Sequence, residues 1–119
     1  MGRIELDETA WVNGRNYRKN RLADETTLSC SGALVQMVKM APGSTIPNHV
    51  HQTSIEFYYV VSGECRLVIN EENHRLQQGD MFLTRPGDIH RLYNESNEPF
   101  TLLVFKTNAA PDDTFWTNE

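Results

Sequence analysis

The sequence predicts an all-β domain, a sandwich or a barrel. Three observations carry that prediction. Short runs rich in Val, Ile, Leu, Phe and Tyr recur along the chain, turn chemistry separates them, and no long segment has helical periodicity. The clearest runs are residues 34–40, 56–61, 65–70, 81–84, 90–94 and 100–106. The turns between them are Ala41-Pro42-Gly43, Ser62-Gly63-Glu64, Gln78-Gly79-Asp80, Pro86-Gly87-Asp88 and the stretch from Asn94 to Pro99.

Taken in order, residues 5–12 read as an added strand, and the basic stretch 15–21 as a solvated loop. Residues 1–30 therefore form an N-terminal strand and loop that pack on the main body or on a partner. Residues 31–108 form the β domain. Residues 109–119 form a tail, whose 111–116 segment reads as a turn or short helix laying Phe115 and Trp116 on the body. Within 56–61, Glu56, Tyr58 and Val60 share one face, and Phe57, Tyr59 and Val61 the other. Both faces are mostly apolar, so both are expected to be covered. Phe82, Phe105 and Met37 or Met40 read as core residues.

At 119 residues and 13.7 kDa the chain fits one domain. Its 39% hydrophobic and 23% charged residues support a packed core. The net charge of −5 and the absence of a Lys/Arg cluster argue against nucleic-acid binding. No apolar run approaches the roughly 20 residues of a membrane span, and the start lacks a signal-peptide core. The expectation is a cytoplasmic protein. Cys30 and Cys65 are too few for a disulfide framework and fit no zinc motif, so both read as small core residues.

The chemistry lies in the histidines. His49 and His51, two apart on an extended segment, aim both imidazoles to one face. Imidazole is the commonest protein ligand for transition metals. Glu56 follows His51 at an odd offset of five, which a single straight strand would send to the opposite face. The polar Gln52-Thr53-Ser54 stretch offers a place to reset that register. His74 lies in a polar stretch and reads as a solvated turn residue.

The spacing Gly43-x5-His49-x-His51-x4-Glu56-x6-Gly63 resembles the first signature of the cupin superfamily at every specified position. Gly79, Gly87, His90 and Asn94 match the second, with Arg85 where the family usually has Pro and Pro86 one place along. The short segment 64–78 between the motifs is similar to the small, single-domain cupin 2 type. The resemblance implies a jelly-roll β-barrel, or double-stranded β-helix, with a metal site inside one end. It implies His49, His51, Glu56 and His90 as ligands of one divalent transition metal per chain: Fe, Mn, Ni, Co, Cu or Zn. Such an N3O set suits those ions and can leave positions open for substrate. Tyr58 and Val60 share a face with Glu56, and Leu92 shares one with His90, so all three are pocket-lining candidates. Arg85 is a fourth, as a carboxylate holder at the barrel mouth or else a solvated turn residue. Asn94 reads as a strand-end hydrogen-bonding residue.

Fold alone does not give function. Three readings follow from the resemblance. The first is a metal-dependent enzyme acting on a small oxygenated substrate (a sugar acid, hydroxy-carbonyl or carboxylate) by isomerisation, ring opening or decarboxylation. The second is an Fe- or Mn-dependent dioxygenase. The third is a non-enzymatic module that binds or senses a small, carbohydrate-type ligand. The resemblance also implies a homodimer.

Overall fold

The computed structural model describes residues 2–117. Strands β1 (Val12–Asn13), β2 (Arg18–Ala23) and β3 (Leu34–Met40) lead into β4 (Thr45–His51) and β5 (Ile55–Ser62). Then come β6 (Glu64–Ile69), β7 (Glu72–Gln77), β8 (Met81–Thr84), β9 (His90–Tyr93), β10 (Phe100–Thr107) and β11 (Thr114–Trp116). The one helix among the described residues is the single turn α1 (Glu25–Leu28). Asp24 caps it by accepting from the Thr26 and Thr27 amides.

The strands form two antiparallel sheets. One is six-stranded, in the order β1-β2-β3-β10-β5-β8, and the other five-stranded, β11-β4-β9-β6-β7. The arrangement is a jelly roll whose two sheets face each other across the core without closing into one hydrogen-bonded barrel. Alternation within strands sets which side chains face in. On β3, Leu34, Gln36, Val38 and Met40 are buried, and on β5, Glu56, Tyr58 and Val60. Val60, Met40, Phe100, Leu102 and Val104 from the first sheet meet Leu67 and Leu92 from the second. No helix among the described residues is long and apolar enough to cross a membrane.

Two turns show why particular residues are needed. Gly63 has φ +83°, and a Cβ there would collide with the Pro99 carbonyl oxygen, so only glycine passes. Asn94, fully buried, donates from Nδ2 to the carbonyls of Met40, Ala41 and Glu98, tying β9 to the ends of β3 and β10.

Several elements differ from the sequence expectation. Of the stretch 15–21, expected as a solvated loop, residues 18–21 lie in strand β2, which pairs with β3 from Arg18↔Lys39 to Ala23↔Val35. Its polar sequence hides the strand, because ladder pairing overrides weak local propensity. The extra strand expected over 5–12 is reduced to β1, and the residues before it cross the outer face of β2 and β3. Asn20 Nδ2 donates to the Asp7 carbonyl, and Trp11 lies against Arg18 and Lys39. The 111–116 segment is not helical. Thr114–Trp116 adds to the edge of β4, as a β-branched and aromatic triplet favours.

Cys30 is exposed rather than core, while Cys65 is buried. His74 sits within β7, half-buried and edge-on to Phe82, rather than in a turn. Met40 is core and Phe82 packs on it, but Phe105 is exposed. Phe57 and Tyr59 are exposed too, so the outer face of β5 is uncovered within this chain.

Candidate metal centre

His49 and His51 come from β4 and His90 from β9, where His49 and His90 stand opposite each other. The pairing runs Ile46↔Leu92 and then His49↔His90, so β4 spends one more residue than β9 between these pairs. That is a β-bulge. It contains Pro47, which has no N–H to offer a ladder. The bulge brings Ile46 and His49, three apart, to the same inward face. Glu56 arrives from the other sheet. The chain leaves β4 at His51 and enters β5 at Ile55, and this change of sheet resolves the odd His51–Glu56 offset.

All three imidazoles are oriented in the same way. Nδ1 of His49 donates to the Pro47 carbonyl at 2.8 Å, Nδ1 of His51 to the Asp113 carbonyl at 3.0 Å, and Nδ1 of His90 to the Asp88 carbonyl at 3.0 Å. A carbonyl oxygen only accepts, so each Nδ1 carries the hydrogen. The neutral ring then presents an Nε2 lone pair to the interior. Ligand nitrogens of the three rings lie within 4.8 Å of one another.

Glu56 completes the corner. Its Oε1 is 2.5 Å from His51 Nε2 and 3.8 Å from His90 Nε2, and its Oε2 is 3.8 Å from Lys106 Nζ. Oε1 is buried and lacks a hydrogen-bond partner among the described residues. A carboxylate oxygen facing imidazole lone pairs needs a shared cation. Three nitrogens and one oxygen form a donor set that fits a divalent transition metal.

The electrostatics favour the ligating forms. Burial, with His90 beside it, pushes His49 down to about 3. Burial also lowers His90, against the pull of Glu56. For Glu56 burial acts upward, but His51, Lys106 and His90 outweigh it and bring the carboxyl to about 2. Burial pushes the Tyr58 hydroxyl well above its ordinary value, so it stays protonated, 3.1 Å from Thr84 Oγ1 and 3.4 Å from His90 Nε2.

The corner opens into a cavity with about 510 Å³ of empty space, part of it continuous with solvent. Tyr58 and Leu92 line it. Val60 lies further along the same face of β5, opposite Leu102, in the closed core. Arg85 is exposed in the turn after β8 and is not part of the cavity wall. Tyr17, Gln36, Lys106, Thr114 and Trp116 also line the cavity, and the sequence reading missed them. One signal for Lys106 was present: it continues the alternation Leu102, Val104, Lys106 on the inward face of β10.

Asp113 was missed as well. Its carboxylate accepts from the amides of Gln52, Thr53 and Ser54 at 2.9, 3.2 and 3.0 Å, holding the crossover between His51 and Glu56. Burial acts to raise this carboxyl, but those amides and the Thr53 hydroxyl hold it well below the usual range.

The family model for the cupin domain matches residues 36–106. This chain belongs to the cupin family. The cupin is 23% identical over 109 residues to the tetracenomycin polyketide synthase protein TcmJ of Streptomyces glaucescens, covering 92% of this chain and 73% of that protein. It is 30% identical over 71 residues to an oxalate-binding protein of Thermotoga maritima, covering 60% of this chain but only 59% of the relative. In fold it is similar to the crystal structure of a predicted oxalate decarboxylase from the same organism. There the TM-score is 0.81 at 22% identity, with 90% of this chain and 99% of that one covered.

Proposed function

We propose that this cupin binds one divalent transition metal per chain through His49, His51, His90 and Glu56, and acts as a metal-dependent enzyme on a small oxygenated substrate. The observation that carries the reading is the arrangement of donors. Three imidazoles are held by their Nδ1 hydrogens with lone pairs turned inward, beside a buried carboxylate oxygen that has no hydrogen bond. A bound divalent ion would supply Lewis-acid polarisation of a substrate oxygen, which favours isomerisation, ring opening or decarboxylation. The Tyr58 hydroxyl keeps its proton beside His90, and Lys106 holds Oε2 of Glu56 so that Oε1 stays turned to the histidines. The named relatives support a small, oxygen-rich ligand, one bearing oxalate and the other a polyketide in its name.

Elemental mass spectrometry of protein purified without chelators or nickel resin tests the reading. The expected result is near one Fe, Mn, Ni, Co, Cu or Zn per chain, with H51A and E56Q losing most of it while the far-UV circular dichroism is unchanged. Stoichiometric metal retained in both variants would overturn the ligand set. Oxygen uptake by an iron-loaded protein would turn the reading to a dioxygenase. Ligand binding without turnover under every metal condition would turn it to a binding module.

The same reading includes a homodimer. Phe57, Tyr59, Met81, Leu83 and Phe105 are each 40–62% exposed. They adjoin through the pairs Phe57↔Leu83, Tyr59↔Met81 and Phe105↔Phe57 on the outer face of β10, β5 and β8. The N-terminal residues cover only the β2–β3 half of that face. A second copy is the natural cover, because a two-fold interface needs only one self-complementary patch. Light scattering should give twice the chain mass, and F57K with Y59K should give the monomer. A monomeric native chain would refute it.

A further inference from the structure

The cavity holds polar groups that the metal corner does not use. Gln36 on β3 is 8% exposed and lines the cavity, yet its side-chain amide has no hydrogen-bond partner among the described residues. Its amide is open to the cavity and free to pair with whatever occupies it. Lys106 stands opposite Glu56 in the β10–β5 register, with its side chain 16% exposed. Its ammonium carries three donors, and Glu56 Oε2 at 3.8 Å is its one ion-pair partner among the described residues.

Gln36 pairs with Val104, two residues from Lys106 on the same inward face. Gln36 and Lys106 are therefore diagonal neighbours on one wall. The histidines stand on the other sheet. Val38, Ile46, Leu92, Leu102 and Val104 supply the aliphatic part of the cavity lining. At the rim the Arg15 guanidinium lies 4.4 Å from the Trp116 ring centroid.

We infer that the cavity binds a small organic acid, with Lys106 and Gln36 receiving its carboxylate and the aliphatic walls holding its carbon body. An oxygen adjacent to the carboxylate, as in a 2-oxo or 2-hydroxy acid, reaches the three-histidine corner. That last contact alone rests on the metal reading. A neutral sugar would leave Lys106 idle and set its hydroxyls against aliphatic walls. A bare dicarboxylate would leave those walls empty. An acid with a branched or aromatic body uses both.

Calorimetric titration tests this on the zinc-loaded and the chelator-stripped native chain. The probes are pyruvate, 4-methyl-2-oxopentanoate and phenylpyruvate, each beside its methyl ester, together with oxalate. At least one of the two larger acids should bind tenfold or more tighter than its ester and tighter than oxalate. K106M should abolish the acid–ester discrimination. Q36L should weaken acid binding several-fold at unchanged metal content. Equal binding of acid and ester, tighter binding of oxalate, no binding of any acid, or discrimination retained in K106M overturns the inference. Should K106M fail to fold, Q36L and the acid–ester comparison on the native chain still decide it. A chain that takes up no zinc but keeps a Lys106-dependent acid preference would sink the metal reading and leave this one standing.

Discussion

Each imidazole of the site spends one nitrogen on the backbone, and that fixes what the other can do. Had a carboxylate faced Nδ1, the tautomer would depend on a side chain. Here Pro47, Asp88 and Asp113 supply main-chain carbonyls. Asp113 has a second task, since its carboxylate gathers the amides of residues 52–54 between two candidate ligands. D113A leaves those amides without their acceptor while the main-chain carbonyl to His51 remains. Zinc affinity, measured by chelator competition, should fall, but by less than the roughly 10–100-fold that follows loss of a ligand's own hydrogen-bond partner. D113N, which keeps one acceptor oxygen, should fall between the two. Unchanged affinity in D113A would show that the crossover holds its shape without this carboxylate.

At the scale of elements, period two made the central strands legible. The buried set Leu34, Gln36, Val38, Met40 alternates with half-buried residues, and Glu56, Tyr58, Val60 with exposed aromatics. The motif spacing led to the four residues that β4, β5 and β9 bring to one corner. Strand β2 was illegible because its sequence RKNRLA has no apolar alternation, and its ladder with β3 is a long-range fact. The same holds for β11, three residues that become a strand because the edge of β4 is free to take them. The bulge at Pro47 was also hidden. Proline marks a possible break but does not say that an extra residue will bring Ile46 and His49 to one face. Tyr17 reaches the cavity from the turn Gly14–Tyr17, which closes by the Gly14 amide donating to the Tyr17 carbonyl. A side chain at Gly14 would strike the Tyr17 ring. That placement depends on a hairpin docking across the chain, with Asn16 Nδ2 donating to the Thr45 carbonyl, and no local pattern encodes it.

For the whole molecule, the site couples folding to pH and to metal. In the metal-free chain His49 titrates near 3 when folded against an ordinary 6.5. Between those values the unfolded chain binds a proton that the folded chain refuses, so stability is full above about pH 6.5 and declines as pH falls toward 3. His90 is shifted in the same direction and adds to the loss. Glu56, near 2 when folded against 4.5, adds a further loss as pH falls from about 4.5 toward 2, because the unfolded carboxylate protonates first. Urea midpoints in chelator should therefore hold near pH 7.5 and drop from about pH 6.5 to pH 4. H49Q should make that slope shallower between about pH 6.5 and pH 3 and leave the His90 and Glu56 contributions. Metal acts through the same nitrogens. At 100 times its dissociation constant it should stabilise the fold by about 2.7 kcal/mol near neutral pH. Protons compete for Nε2, so that increment should fade on acidification. A midpoint that stays level from pH 7.5 to pH 5 in chelator would mean that the folded chain accepts the proton on His49, and that burial does not hold the ring neutral.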